Sequence, residues 1–137
     1  LTVAAANARR LGARVRCVRS DWFSTLAGEA PFELIVSNPP YVRAQDPHLS
    51  QGDLRFEPAS ALAAGADGLD DIRRIVAGAP AHLVAGGRLL MEHGYDQAGQ
   101  VRTLLAEGGF AEVRSWRDLA GIERVTGGVL DAVRNDA

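Results

Sequence analysis

The strongest constraint on this chain is a short apolar strand that runs directly into two prolines: Glu33-Leu34-Ile35-Val36-Ser37, then Asn38-Pro39-Pro40-Tyr41. Consecutive prolines fix φ and donate no backbone N–H, so neither a helix nor a sheet ladder continues through them. The turn is stiff, and its carbonyls are left to accept. Asn38 adds a side-chain acceptor and Tyr41 a flat aromatic face. An NH2 group conjugated to a π-system must have both hydrogens held before its nitrogen can face an incoming methyl. Two acceptors beside a stacking plate meet that need, so the pattern points to methyl transfer onto a planar nitrogen. The plainer alternative is a rigid strand-to-loop turn.

A chain of 137 residues fits one domain and can bury a real core. No apolar run approaches the roughly 20 residues of a membrane span. The opening Leu1 to Asn7 lacks a basic segment followed by an apolar stretch and reads as the middle of a helix, so a non-natural start is expected. Cys17 is the one cysteine, which excludes an internal disulfide and suits a reducing, cytoplasmic setting; its place in an apolar pattern suggests core. The net charge of −2 argues against the phosphate-neutralising surface of a nucleic-acid binder. All 15 basic residues are Arg, but they are scattered and form no stripe.

Along the chain, Val3 to Leu11 reads as a helix closed by Gly12, and Val15 to Val18 as a strand followed by Asp21-Trp22-Phe23. Leu34 to Ser37 reads as a buried strand. The stretch from Pro39 to about Ala66 is long for a connection in a compact domain, and such connections are commonly functional. Asp67 precedes a helical pattern with Leu69, Ile72, Ile75, Val76, Ala79 and Leu83 on one face, stopped by Gly86-Gly87. Arg88 to Glu92 is a buried strand, Tyr95 to Ala106 a helix, and Glu112 to Trp116 and Arg124 to Leu130 are strands joined by a Gly121 turn. The order α-β-β-α-β-α-β-β implies an α/β sheet, mostly parallel, with an antiparallel pair at its C-terminal edge.

Several blocks together are similar to the release factor glutamine methyltransferases, the HemK/PrmC family. They are Ser20-Asp21-Trp22-Phe23, Val36 to Tyr41, Asp46-Pro47-His48-Leu49, Gly52-Asp53-Leu54-Arg55-Phe56-Glu57-Pro58, Leu90-Met91-Glu92-His93-Gly94 and Arg117 to Thr126. The resemblance runs over nearly the whole chain. Asn-Pro-Pro-Tyr alone is shared with adenine amino-methyltransferases, whereas Arg-Phe-Glu-Pro and Glu-Arg-Val-Thr are narrower. Gly127 departs from the pattern, where a larger apolar residue is usual.

The resemblance implies a Rossmann-like class I methyltransferase domain with S-adenosylmethionine lying across the C-terminal ends of the strands. Residues 1–137 would be the C-terminal portion of that domain. The family's glycine-rich cofactor loop has no counterpart, because no Gly-x-Gly occurs in the chain. The fold expected is therefore a partial sheet lacking its first two strands. Leu34 to Ser37, Arg88 to Glu92 and the last two strands should form a coherent half-sheet, while Val15 to Val18 collapses onto its edge or floats.

By the same resemblance, Asn38 Oδ1 and the Pro39 carbonyl accept the two hydrogens of a glutamine amide, and Tyr41 packs on its plane. The catalytic candidates are Asn38, Pro39 and Tyr41, and the substrate contacts are Asn38, Pro39, Pro40 and Tyr41. Asp21, Trp22 and Asn38 are the cofactor contacts, although an Asp after a strand is also an ordinary turn residue. Arg55 and Glu57 either shape the substrate entrance or fix their loop as an ion pair. Glu92 and His93 read as local structure, Glu123 and Arg124 as a cross-strand pair, and Trp116 as packing. His48, His82 and His93 are too dispersed to suggest a metal site. The implied activity is methylation of the glutamine in the Gly-Gly-Gln motif of peptide chain release factors, without direct nucleic-acid contact and away from membranes. Two alternatives stand beside it: an adenine or guanine amino-methyltransferase, and an inactive fragment that lacks the cofactor loop.

Overall fold

The structure, a computed structural model, describes residues 2–41 and 67–131. Helix α1 (Thr2–Arg10) buries none of its residues and closes at Gly12. Strand β1 (Phe32–Ser37) leads into the proline turn. Helix α2 (Asp70–Gly78), a 3-10 turn (Ala79–His82) and strand β2 (Leu83–Glu92) follow, then helix α3 (Ala98–Glu107) and strands β3 (Phe110–Arg117) and β4 (Glu123–Leu130). The strands form one four-stranded sheet in the order β1-β2-β4-β3. β1 and β2 are parallel, and β4 runs antiparallel to both β2 and β3. The half-sheet and its antiparallel C-terminal pair are formed as expected, and among the described strands the parallel part is the β1–β2 pair alone.

Val15 to Val18 forms no strand: none of the four strands pairs with it, and both valines are exposed. A strand without a ladder partner leaves its N–H and C=O groups to water, which removes the reason to stay extended. Cys17 is accordingly half-buried in irregular chain and is not a core residue.

Helix α2 ends earlier than the apolar spacing suggests. Pro80 supplies no N–H to the Val76 carbonyl and its ring would clash with it, so the α-helix gives way to a 3-10 turn. Leu83 then opens β2. Gly86-Gly87 is therefore no helix stop; it lies inside β2, where the pairing slips between Phe32↔Leu83 and Leu34↔Arg88. Five residues of β2 span two of β1, and Gly86 takes the left-handed φ of 80° that this bulge requires.

The core lies between one face of the sheet and helices α2 and α3. Leu69, Ile72, Ile75 and Val76 meet Leu89, Met91, Val101, Leu105, Phe110 and Leu130 there, all buried. The other face is open among the described residues, so only one face of β1 is covered: Leu34 is 51% and Val36 67% exposed, while Ile35 packs against the core. The expectation of a buried strand is corrected accordingly for this face. Gly127 faces this open side, and a Cβ there would stand 2.4 Å from the Leu89 carbonyl and from Leu90 Cδ2. In this packing the Leu90 side chain takes the space of the larger residue.

Candidate functional site

The proline turn leaves the sheet where Ser37 pairs with Met91 of β2. Asn38 is exposed just past the strand end, Pro39 is fully buried, and Pro40 and Tyr41 are half-buried. The turn thus presents its amide side chain to solvent and buries its first proline. Tyr41 is held by its backbone: its carbonyl accepts from Gln97 Nε2 at 3.0 Å. Burial pushes the Tyr41 phenol above its ordinary value of 10.0; the nearby Glu92 carboxylate adds to this and Arg124 opposes it. Tyr41 is therefore an uncharged ring at neutral pH.

Behind the turn lies a connected set of buried polar groups. Gln97, 1% exposed, precedes α3; its Oε1 accepts the Gly94 N–H at 2.8 Å, and its Nε2 donates to the carbonyls of Tyr41 and Asp67. His93 is fully buried after the end of β2. Its Nδ1 lies 2.9 Å from the Gly94 carbonyl, which only accepts, so Nδ1 carries the proton and Nε2 accepts from the Thr126 hydroxyl at 2.7 Å. Thr126 in turn accepts from Ser115 at 2.6 Å, and Ser115 from Arg102 at 2.8 Å, whose charge Glu123 balances at 3.3 Å. Every donor points the same way along this path from the sheet rim to the Gly94 peptide. His93 is structural, as its sequence context suggested. Gln97 and Thr126 were not foreseen as part of the site. The available signal was a polar residue on the inward face of an otherwise apolar strand and at the start of an apolar helix.

Asp21 and Trp22 engage α2. The Trp22 indole N–H donates to Asp71 at 3.3 Å, Arg74 pairs with Asp21 at 3.0 Å, and Phe23 stacks on His82 at 4.8 Å. Trp22 has a φ of 53°, rarely adopted by a bulky residue, and Ser20 and Ser24 hydroxyls cap the turns around it. The residues named for cofactor contact thus fall into two groups: Asp21 and Trp22 on the N-terminal turn of α2, and Asn38 at the end of β1. An open cavity of about 570 Å³ lies beside the first group, lined by Val18, Ser20, Trp22, Leu26 and Phe32. Phe32 starts β1 and Asn38 follows its end, so at roughly 3.3 Å per residue the cavity meets β1 about 20 Å from the turn.

Asp46 to Leu49 and Gly52 to Pro58, including His48, Arg55 and Glu57, lie outside the described residues. Glu123 and Arg124 do not pair with each other: Glu123 meets Arg102 of α3, and Arg124 meets Asp118 at 3.4 Å. Neighbours on one strand point to opposite faces, so each finds its partner on a different element. Trp116 carries the Arg114 guanidinium 4.5 Å over its ring. Among the described residues there is no grouping of His, Cys, Asp or Glu able to hold a metal, and no helix long and apolar enough to cross a membrane.

Comparison with known proteins identifies relatives of this chain. The release factor glutamine methyltransferase of Bordetella pertussis is 56% identical over 130 residues, covering 95% of this chain and 48% of its own length. That of Pseudomonas aeruginosa is 61% identical over 118 residues, covering 86% and 42%. The chain is similar to a part of the release factor glutamine methyltransferases. It spans about half the length of the curated relatives it matches. Among solved structures, the release factor-specific protein-(glutamine-N5) methyltransferase of Alicyclobacillus acidocaldarius is 29% identical with a TM-score of 0.55, over 94% of this chain and 73% of that one. A methyltransferase from Pyrococcus furiosus, 19% identical with a TM-score of 0.66 over 95% of this chain and 57% of its own, shares the fold. No protein-family model matches the chain. The fold is thus a partial Rossmann-like class I methyltransferase sheet.

Proposed function

We propose that this chain is part of an enzyme that moves a methyl group from S-adenosylmethionine to the side-chain amide nitrogen of a glutamine, the one in the Gly-Gly-Gln motif of peptide chain release factors. The observation that carries the reading is the Asn38 to Tyr41 turn, anchored to β2 at one end and to Gln97 at the other. The names of the relatives supply the substrate class. We take residues 1–137 as one domain acting in the cytoplasm on a protein partner.

The described residues fit the reacting end of such a cofactor at Asn38, exposed at the strand end, and offer its nucleoside an open cavity beside Trp22 in place of an enclosed cradle. When bound, S-adenosylmethionine supplies an electrophilic methyl. The chain's own contribution is to hold the amide. An amide nitrogen is a poor nucleophile because its lone pair is delocalised into the carbonyl, so orientation has to supply much of the rate. Asn38 Oδ1 and the Pro39 carbonyl accept the two hydrogens and stabilise the positive charge that nitrogen gains, and Tyr41 packs on the amide plane. Asp21 and Trp22 stand as the adenine-side contacts. The proton leaves to water after transfer, so no strong base is required.

The test is a methyl-transfer assay on the complete gene product that contains this sequence, offering a release factor and a DNA duplex side by side. Labelled methyl on the release factor alone supports the reading. Transfer to DNA would move the substrate to a base amino group, and transfer to neither would leave the inactive-fragment alternative.

A further inference from the structure

The geometry points to Gln97 as a positioning residue: its buried side-chain amide sets where the Asn38 to Tyr41 turn ends, and through it where the substrate amide is held. The inference rests on the function proposed above and gives the residue that anchors the turn a part in the reaction rate.

A primary amide has one acceptor group and two N–H donors, and Gln97 uses all three on backbone atoms. Oε1 takes the Gly94 N–H, and Nε2 gives one hydrogen to Tyr41 O at 3.0 Å and one to Asp67 O at 3.1 Å. The orientation of the amide follows without ambiguity, since the N–H needs an acceptor and both carbonyls need donors. These partners lie 3, 56 and 30 residues away in the chain, so one side chain joins the exit of β2, the end of the proline turn and the lead-in to α2.

The fit is close on every side. Gly68 has a φ of 78°, and a Cβ there would stand 2.2 Å from the Tyr41 carbonyl and 2.6 Å from Gln97 Nε2; a Cβ at Gly94 would stand 3.0 Å from Gln97 Oε1 and 3.4 Å from the Tyr41 ring. The platform beneath is rigid, because Gln97 also donates its backbone N–H to Gly94 O and opens α3 with its own carbonyl. Ser37 is fixed to Met91 and Tyr41 to Gln97, so Asn38 and Pro39 lie between two fixed points. No other side chain of similar size has this donor and acceptor set: Glu keeps the acceptor and loses both donors, and Leu loses all three.

The experiment uses Gln97→Glu and Gln97→Leu in the complete gene product, with single-turnover methyl transfer and S-adenosylhomocysteine affinity measured separately. Gln97→Glu is expected to slow transfer about 10- to 100-fold, as a misplacement near 1 Å does, with cofactor affinity little changed. The lost rate should return in part as pH falls and the new carboxyl protonates, since it can then donate one of the missing bonds; the unsubstituted protein should show no such recovery. Gly68→Ala, which crowds the Tyr41 carbonyl from the other side, should reproduce the slowing, and it serves as the second variant if Gln97→Glu fails to fold. Unsubstituted transfer rates in folded Gln97→Glu or Gly68→Ala would overturn the inference, as would a loss confined to cofactor affinity.

A second readout separates this inference from the proposed function. In the complete gene product with ring-labelled tyrosines, the resonance of Tyr41 is assigned by its loss in Tyr41→Phe, and its titration reports the position of the turn. Gln97→Leu should move that titration, whether or not any methyl is transferred. An unmoved Tyr41 titration would overturn the clasp even if the enzyme is active. Absence of transfer by the unsubstituted protein would overturn the function and not the clasp.

Discussion

Replacing Thr126 with Val exchanges one hydroxyl for one methyl at a fully buried position and breaks the polar path at its middle. Two bonds are lost, to His93 Nε2 at 2.7 Å and to Ser115 at 2.6 Å. His93 is itself fully buried and among the described residues has no other partner for Nε2, so the nitrogen bears a desolvation cost of about 1–3 kcal/mol. Ser115 is half-buried and keeps Arg102, so its loss is an ordinary net hydrogen bond, about 0.5–1.5 kcal/mol. The valine methyl returns about 0.8 kcal/mol of apolar burial. The expected net cost is therefore about 1–4 kcal/mol, a large share of the roughly 5–15 kcal/mol that holds a small domain together. Urea unfolding of the chain, with Ser115→Ala and the double variant to close the cycle, measures it. Ser115→Ala should cost less than Thr126→Val, and the two should be coupled. A Thr126→Val cost indistinguishable from zero, with m unchanged, would refute the assignment of one continuous path through His93.

Four further outcomes follow from the same structure. Asn38→Ala, at an exposed position, should leave the unfolding midpoint unchanged and slow methyl transfer about 100-fold or more, the scale of losing one oriented acceptor in a transition state; rates within twofold of the unsubstituted protein would remove Asn38 from the site. Leu34→Ser on the open sheet face should cost this chain under about 0.5 kcal/mol, whereas Leu89→Ala, fully buried on the covered face, should cost about 2–5 kcal/mol; equal costs in urea unfolding would show that both faces are covered. Because the folded Tyr41 phenol titrates above its unfolded value of 10.0, the stability it contributes is present below pH 10 and lost as pH rises through the folded value; Tyr41→Phe should abolish that alkaline slope. Asp67 shows the opposite sign. Hydrogen bonding to Arg73 lowers its pKa, so its contribution is present above the unfolded value of 3.8 and falls away as pH drops through the folded one, a slope that Asp67→Asn should flatten in acid unfolding curves.

The elements most legible in the sequence were those whose local signal and tertiary role agree. β1 and its proline turn, α3, and the antiparallel pair of β3 and β4 are marked by apolar patterning and Gly or Pro boundaries, and all form, although α3 starts at Ala98 and not at Tyr95. The failures occurred where a partner decides the outcome. Val15 to Val18 has a strand's composition but, as the floating alternative anticipated, pairs with none of the described strands, and Leu34 and Val36 have a buried strand's composition on a face that the described residues leave uncovered. Gly86-Gly87 looked like a helix stop because a bulge and a C-cap ask for the same backbone freedom; Pro80 had already ended the helix. At the site, Asn38 to Tyr41 could be read directly because prolines announce their geometry. Gln97 could not, since its three partners are carbonyls and an N–H that any residue carries, assembled only by the fold.

The most direct test of the account is to locate the methyl group. The complete gene product that carries this sequence is incubated with S-adenosylmethionine and an unmethylated release factor, and the digested release factor is read by tandem mass spectrometry. The account predicts the mass of one methyl group on the side-chain amide of the glutamine in the Gly-Gly-Gln motif, absent when Asn38 is replaced by Ala. A methyl group on any other residue, or the same yield from the Asn38 variant, would contradict it.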